Sequence, residues 1–353
     1  MGTFHLVTLL WAQALLPATW GAALDRVFTQ SLACEVTPTR PYLNFGFRFQ
    51  AGFFFTVPLR QFSGAGHKIQ VVTRLTPQAG PAVVLGQRFD LPPVPPTKQS
   101  IEVVGGYLLG EGNYRVDWLL YDEQNRACRK SWRLKVARSG AERKIDLAIL
   151  PHTVTDFALT GLPPSRSAAK SGAPLSILLN AAPLSPRRLR LRASDELLLV
   201  GALASLQERL GRRPVRLVVF NLDKRQQLFV RDDFRPAQLN EVSQAINQLE
   251  LDAVDYEVLK SPQGHIDFLA SLLNREAAAE TVVLLGPTTR YFERMPANKL
   301  EKGSNRIFNL QFLPFWRTGV PLPDLLDSAT RRRKGKTMLL RTPADFAKAI
   351  AAL

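Results

Sequence analysis

The apolar period of this chain changes once, near Gly172, and that change limits what each half can fold into. From about Ala33 to Val136, apolar residues recur at every second position in short runs separated by turn-forming residues. A period of two sends alternate side chains to opposite faces of a strand. Leu43, Phe45, Phe47 and Phe49 share one face of such a run, Gln50-Ala51-Gly52 reads as its turn, and Phe53–Leu59 as the returning strand. Further strands are expected at Ile69–Thr73, Ala82–Leu85 and Ser100–Val104. Tyr114–Tyr121, the turn Asp122–Asn125 and Cys128–Val136 form a closing hairpin, and Leu91–Pro96 is a stiff extended connector. Short strands with no helical pattern between them predict an antiparallel β-sandwich over residues 33–136, with the aromatic stripe as its core.

Past Gly172 the pattern alternates between buried strands and amphipathic helices. Ile177–Leu179 is apolar throughout, and Ser194-Asp195 caps a helix carrying Leu199, Leu203, Leu206 and Leu210, stopped by Gly211. Val215–Phe220 is a buried strand, and Pro236 opens a helix with Leu239, Val242, Ile246 and Leu249 on one side. A helix over His265–Asn274, strands at Thr281–Leu285 and Ile307–Phe312, and helices Asp324–Arg333 and Ala344–Leu353 flanking a strand at Thr337–Leu340 complete the run. Such alternation predicts a doubly wound, mainly parallel α/β sheet over residues 174–353. Residues 137–173, with Pro163–Gly172 rich in Pro, Ser and Ala, read as a linker.

In such sheets ligands sit in the crevice outside the carboxyl ends of the strands. The candidate contact residues are therefore Asn180, Pro183, Ser185, His265, Thr288, Thr289 and Arg290, each of which also has a purely local role in loop geometry or capping.

The second half resembles the von Willebrand factor type A family, in the divergent branch of secreted bacterial proteins that carry a β-sandwich ahead of the A domain. The residues that carry the resemblance are Ile177–Asn180, Arg216–Leu222, Gly264–Leu269, Val282–Leu285, Gly335-Lys336-Thr337 and Ala344–Ile350. The resemblance implies a Rossmann-like fold and a divalent-metal site. That site is built from D-x-S-x-S after the first strand, a threonine in a later loop and an aspartate after the fourth strand. Here Asn180 stands for the aspartate, Ala182 and Leu184 for the serines, Gly264-His265 near the threonine, and Gly286-Pro287 for the last acid. One amide without a carboxylate cannot neutralise a divalent cation, so the expectation is a degenerate site with no metal and no cofactor. A rescue by Ser185, Asp255 or Asp267 has the wrong spacing.

Catalytic patterns are equally thin. The histidines are His5, His67, His152 and His265. His265 and Asp267 lie at i and i+2, on different sides of a helix, and no G-x-S-x-G elbow supplies a nucleophile. Glycines at 105, 106, 110 and 112 read as hairpin glycines, and Gly335-Lys336-Thr337 lacks the first glycine of a phosphate loop. A hydrolase using His265 or His152 is the alternative to a non-catalytic binding protein.

Residues 1–23 resemble a secretory signal peptide: Phe4–Leu16 is largely apolar, Pro17 breaks it, and Gly21-Ala22-Ala23 offers a cleavage site, though no basic residue comes first. Export would place the protein in the periplasm or outside the cell, with no transmembrane span once the leader is gone. There Cys34 and Cys128 either form a disulfide or remain as two buried thiols. The formal charge of +16 favours anionic neighbours, among them an envelope surface or another anionic polymer. The basic runs Arg187–Arg192 and Arg331–Lys336 lack interleaved aromatics, which favours a solvated basic face over nucleic-acid binding. The expected partner is a protein.

Overall fold

The computed structural model describes residues 9–10, 14–156, 174–185, 188, 190–211, 213–251, 260–261, 263–313 and 322–353. It divides into two compact units, Met1–Ala158 and Leu159–Leu353.

In the first unit the main strands are β1 (Glu35–Pro38), β2 (Phe49–Pro58), β3 (His67–Pro77), β4 (Val83–Leu91), β5 (Ser100–Leu109), β6 (Gly112–Asp122) and β7 (Arg126–Val136). One sheet runs β5–β2–β1, the other β4–β3–β6–β7, with antiparallel pairing between all these neighbours. The two sheets meet face to face through aromatic rings. Phe53 and Phe55 of β2 lie 5.7 and 5.3 Å from Trp118 of β6, and Phe53 lies 6.3 Å from Trp132 of β7. Inward-facing aromatics at alternate positions are what a sandwich core requires.

The expected strand through Leu43–Phe49 does not persist. The chain turns at Asn44–Arg48, where Asn44 Oδ1 accepts the amides of Gly46 and Arg48, and Phe47 takes a φ of 52°. A side-chain carbonyl offering itself to the backbone two and four residues on competes with the ladder. Gln50-Ala51-Gly52, expected as the turn, instead lies inside β2. Gly105 and Gly106, expected in a hairpin, lie inside β5. The reason is contact: a Cβ on Gly52 would sit 2.1 Å from the Gly105 carbonyl oxygen across the ladder.

Part of the segment read as linker also folds onto this unit. Arg138 pairs with Glu111 at 2.9 Å, Gly140–Lys144 is a 3₁₀ turn, and Val154–Thr155 adds antiparallel to β5. Its Pro163–Gly172 stretch lies outside the described residues. Near the N-terminus, Ala14–Leu15 pairs with Gly86 and Leu85 of β4, and Leu16, Trp20 and Leu24 pack over Val72, Val84 and Leu119. Cys34 and Cys128 are bonded, Cys34 leading into β1 of one sheet and Cys128 lying in β7 of the other. Closing a loop of 94 residues contributes about 2–4 kcal/mol.

The second unit is built on β8 (Leu175–Asn180), α1 (Ala193–Leu210), β9 (Val215–Asn221), β10 (Gln226–Arg231), α2 (Leu239–Asn247), α3 (Gly264–Arg275), β11 (Thr281–Pro287), β12 (Arg306–Phe312), α4 (Leu325–Arg332), β13 (Lys336–Leu340) and α5 (Pro343–Ala351). The sheet order is β10–β9–β8–β11–β12–β13. All neighbours pair parallel except β10, which returns antiparallel beside β9. Counted within the unit, that is third, second, first, fourth, fifth, sixth, so the winding reverses between β8 and β11.

Strands buried on both faces read as unbroken apolar runs. Leu178, Val218, Phe220, Val282 and Leu284 pack under Ile266 and Leu269 of α3 and Leu325 of α4. Ile177, Leu179, Leu217, Val219, Val283 and Leu285, on the opposite face, are as deeply buried.

Candidate functional site

The reversal between β8 and β11 opens a small crevice where three strand ends come together. It is lined by Asn180, Ala182 and Pro183 after β8, Leu222 and Asp223 after β9, and Thr288, Thr289 and Arg290 after β11. The space amounts to about 10 Å³, room for a single water-sized group.

Local hydrogen bonds hold the first two ends. The amide of Ala181 donates to the Phe220 carbonyl at 2.7 Å, and Asn221 Nδ2 donates to the Ala181 carbonyl at 2.7 Å. Asn221 Oδ1 in turn accepts the Lys224 amide at 2.8 Å, which curls the chain so that Asp223 faces the crevice. Gly286 brings the third end close. Its φ is 155°, and a Cβ there would lie 2.9 Å from both the Cβ and the carbonyl oxygen of Asn180. The third end is fixed from α4: Asp324, the helix N-cap, accepts the Thr289 amide at 2.7 Å, the Asp327 amide at 2.9 Å and Gln311 Nε2 at 2.9 Å. Burial pushes the Asp324 carboxyl above its ordinary range, against the pull of those donors.

Asn180 is 1% exposed, and among the described residues neither its Nδ2 nor its Oδ1 has a hydrogen-bond partner. Buried side-chain amides are normally paired, so each such exception needs a reason. At the rim, Arg290 Nε lies 3.1 Å from Asp223 Oδ1, and its guanidinium stands 5.7 Å over the Tyr291 ring. Burial works to lower the Arg290 pKa, but Asp223 and Tyr291 outweigh it and the net direction is upward. Burial, with Asp223 nearby, raises the Tyr291 hydroxyl.

Of the residues proposed from sequence, Asn180, Pro183, Thr288, Thr289 and Arg290 line this crevice. Ser185 does not; its carbonyl accepts the Arg188 amide. His265 sits beside the crevice, buried at the start of α3, and stacks on Tyr291 with ring centres 4.0 Å apart. Among the described residues its ring nitrogens have no hydrogen-bond partner, and Glu293 Oε2 is 3.5 Å from Nε2. Asp267 does not face His265: it pairs with Lys299 at 2.7 Å. His152, in the first unit, is a turn residue at φ 60° whose ring packs against Gly112.

Sequence reasoning missed Asp223, Tyr291 and Asp324. Asp223 was open to discovery, since the residues directly after the second strand of such a sheet reach the same crevice. Asp324 was read only as the start of a helix, and its grip on Thr289 joins elements 35 residues apart. Among the described residues no three His, Cys, Asp or Glu side chains converge as metal ligands. Asp255 lies outside the described residues.

No family model matches the chain, and no curated protein does. Solved structures similar to it include a protein described as ApaA from Bordetella pertussis, 13% identical with a TM-score of 0.21, covering 31% of this chain and 98% of that one. A β-glucuronidase from Bacteroides uniformis is 7% identical at a TM-score of 0.21, with 90% of this chain and 30% of that one covered. A glycosyl hydrolase family 2 member from Bacteroides cellulosilyticus is 9% identical at 0.21, with 92% and 35% covered. The chain thus spans about a third of the length of those two hydrolases. Similarity at this level carries no argument for either fold or activity.

Proposed function

We propose that this chain is an exported, non-catalytic binding protein whose second unit is a von Willebrand factor type A-like module with a degenerate metal site. A protein partner docks on the crevice at the winding reversal. The carrying observation is the buried, unpaired amide of Asn180 at the end of the first strand, where the family's metal-binding acid would stand. The rim supports the same reading. Its carboxylate, Asp223, is already neutralised by Arg290, and the remaining polar groups are hydroxyls and amides suited to shape-dependent contact. Buried His265, stacked between Tyr291 and the core, has no nucleophile partner in view and favours a packing role over acid–base work.

Photo-crosslinking through a benzophenone residue at Arg290 tests the site. Expected is capture of one protein from the native envelope fraction, lost when Asn180→Ala is added. Capture unchanged by that substitution, or micromolar Mn²⁺ binding to the intact protein by calorimetry, would overturn the reading. Turnover of ester or peptide substrates that is lost in His265→Ala would favour the hydrolase. Export is checked separately by N-terminal sequencing of periplasmic protein, with Leu24 as the expected first residue; a mature protein that keeps Leu16 and Trp20, which pack over Val72 and Val84, would count against cleavage there.

A further inference from the structure

The first unit carries an open sheet edge of unusual charge. β7 pairs with β6 from Gly112↔Val136 to Tyr121↔Ala127. On its other side only Arg126 and Ala127 are paired, with Gln30 and Ser31, and the Leu32 amide adds one bond to Ala127. From Cys128 to Val136, β7 therefore has no strand beside it among the described residues. Alternation puts Arg129, Ser131, Arg133 and Lys135 on the outward face of the sheet.

Those cations are unevenly served. Asp117 accepts from Arg115, Ser131 and Arg74. Arg129 donates to the Arg26 carbonyl and stands over the Phe28 ring. Among the described residues no acid pairs with Lys130, Arg133 or Lys135, and all three are exposed. Arg133 faces Arg115 directly across the ladder. Arg115 is already held by Asp117 at 3.1 Å, so of this opposed pair Arg133 is the one left without an acid among the described residues. A shallow groove runs across this end of the sheet, lined in part by Thr76, Gln78, Asn113, Arg115, Arg133 and Lys135.

Charged edges commonly serve to block pairing. That role needs one or two lysines on the edge strand. It does not account for a groove with hydrogen-bonding side chains beside the edge. A second copy of this chain is a poor occupant, because it would set the same cations against themselves. We infer that the free edge of β7 takes an acidic, extended segment of a partner protein as an added strand. Its backbone pairs along Arg129–Val136, and its carboxylates meet Arg133 and Lys135. Backbone pairing would supply affinity and the cations would supply choice of partner.

The test uses the full chain and a capped synthetic peptide alternating glutamate with threonine, its lysine counterpart, and heparin. The glutamate peptide is expected to slow amide exchange across Arg129–Val136 by about tenfold or more, and the lysine peptide to leave it unchanged. Arg133→Glu with Lys135→Glu should weaken glutamate-peptide binding by at least about tenfold. Exchange in the wild-type protein answers the question even if that variant folds poorly. Peptide binding without slowed exchange in β7, or heparin competing fully with the peptide while leaving those amides unprotected, would reduce the edge to a charged patch and overturn the inference.

Discussion

Asp324 Oδ2 lies 2.7 Å from the Thr289 amide nitrogen, so the loop that closes the crevice hangs from the first turn of a helix 35 residues further along the chain. The same carboxylate also accepts from Asp327 and Gln311. Asp324→Asn turns one accepting oxygen into a donor facing other donors. It is expected to cost about 1–3 kcal/mol in denaturant unfolding and to loosen the loop. An unchanged midpoint would show that the three hydrogen bonds are not jointly supporting it.

Asn180 offers the opposite balance. Both of its amide atoms are buried without partners among the described residues, so Asn180→Leu removes two desolvated groups and keeps the branching at Cγ. The variant is expected to be as stable as the parent or more stable by about 1 kcal/mol, and to lose partner capture. Marked destabilisation measured by calorimetry would mean that the amide is satisfied within the fold.

Gly286 is the counterpart on the neighbouring strand. Gly286→Ala sets a Cβ 2.9 Å from two Asn180 atoms at a φ of 155°. Backbone strain and overlap together should cost at least about 2 kcal/mol, seen as a lower unfolding midpoint. Shortening Asn180 as well, in a double variant with Asn180→Gly, should recover only the part of the overlap due to the Asn180 Cβ, leaving the contact with its carbonyl oxygen and the strain.

A pH effect is expected in the first unit. Glu123 accepts from the Lys68 amide at 2.9 Å and lies 2.7 Å from His67 Nδ1. Partial burial raises its pKa, but these donors outweigh burial and hold it below its ordinary value of 4.5. A depressed carboxylate stabilises the fold fully above its unfolded value and loses that contribution as pH falls through the folded one. The melting temperature of the wild type should therefore exceed that of Glu123→Gln at neutral pH, and the gap should close in acid below pH 4.5. Because the side chain is 42% exposed, the gap should be small and should shrink further with salt.

Where burial dictates residue type, the sequence was readable. The buried runs Val215–Phe220 and Thr281–Leu285 fall inside β9 and β11, and the helix bounded by Gly211 ends as its stop residue requires. β10 was missed. Its burial pattern is mostly exposed or intermediate, as suits a sheet edge, and Gln226–Arg231 has no apolar period to read. The false strand at Leu43–Phe49 had the right period, but a single side-chain carbonyl on Asn44 redirected the backbone. At the crevice, residues that follow strand ends were predictable from topology, whereas the Asp324–Thr289 bond and the Tyr291–His265 stack depend on distances that no linear pattern encodes.

The covalent link between Cys34 and Cys128 also sets how this molecule answers a pulling force. Because it bridges one sheet to the other across 94 positions, tension applied at the chain ends cannot draw out the segment between them. A single-molecule stretch of the oxidised protein should fall short of the reduced one by roughly 330 Å of contour. Most of the sandwich would thus behave as a locked hank under load, passing strain to residues outside the bridge.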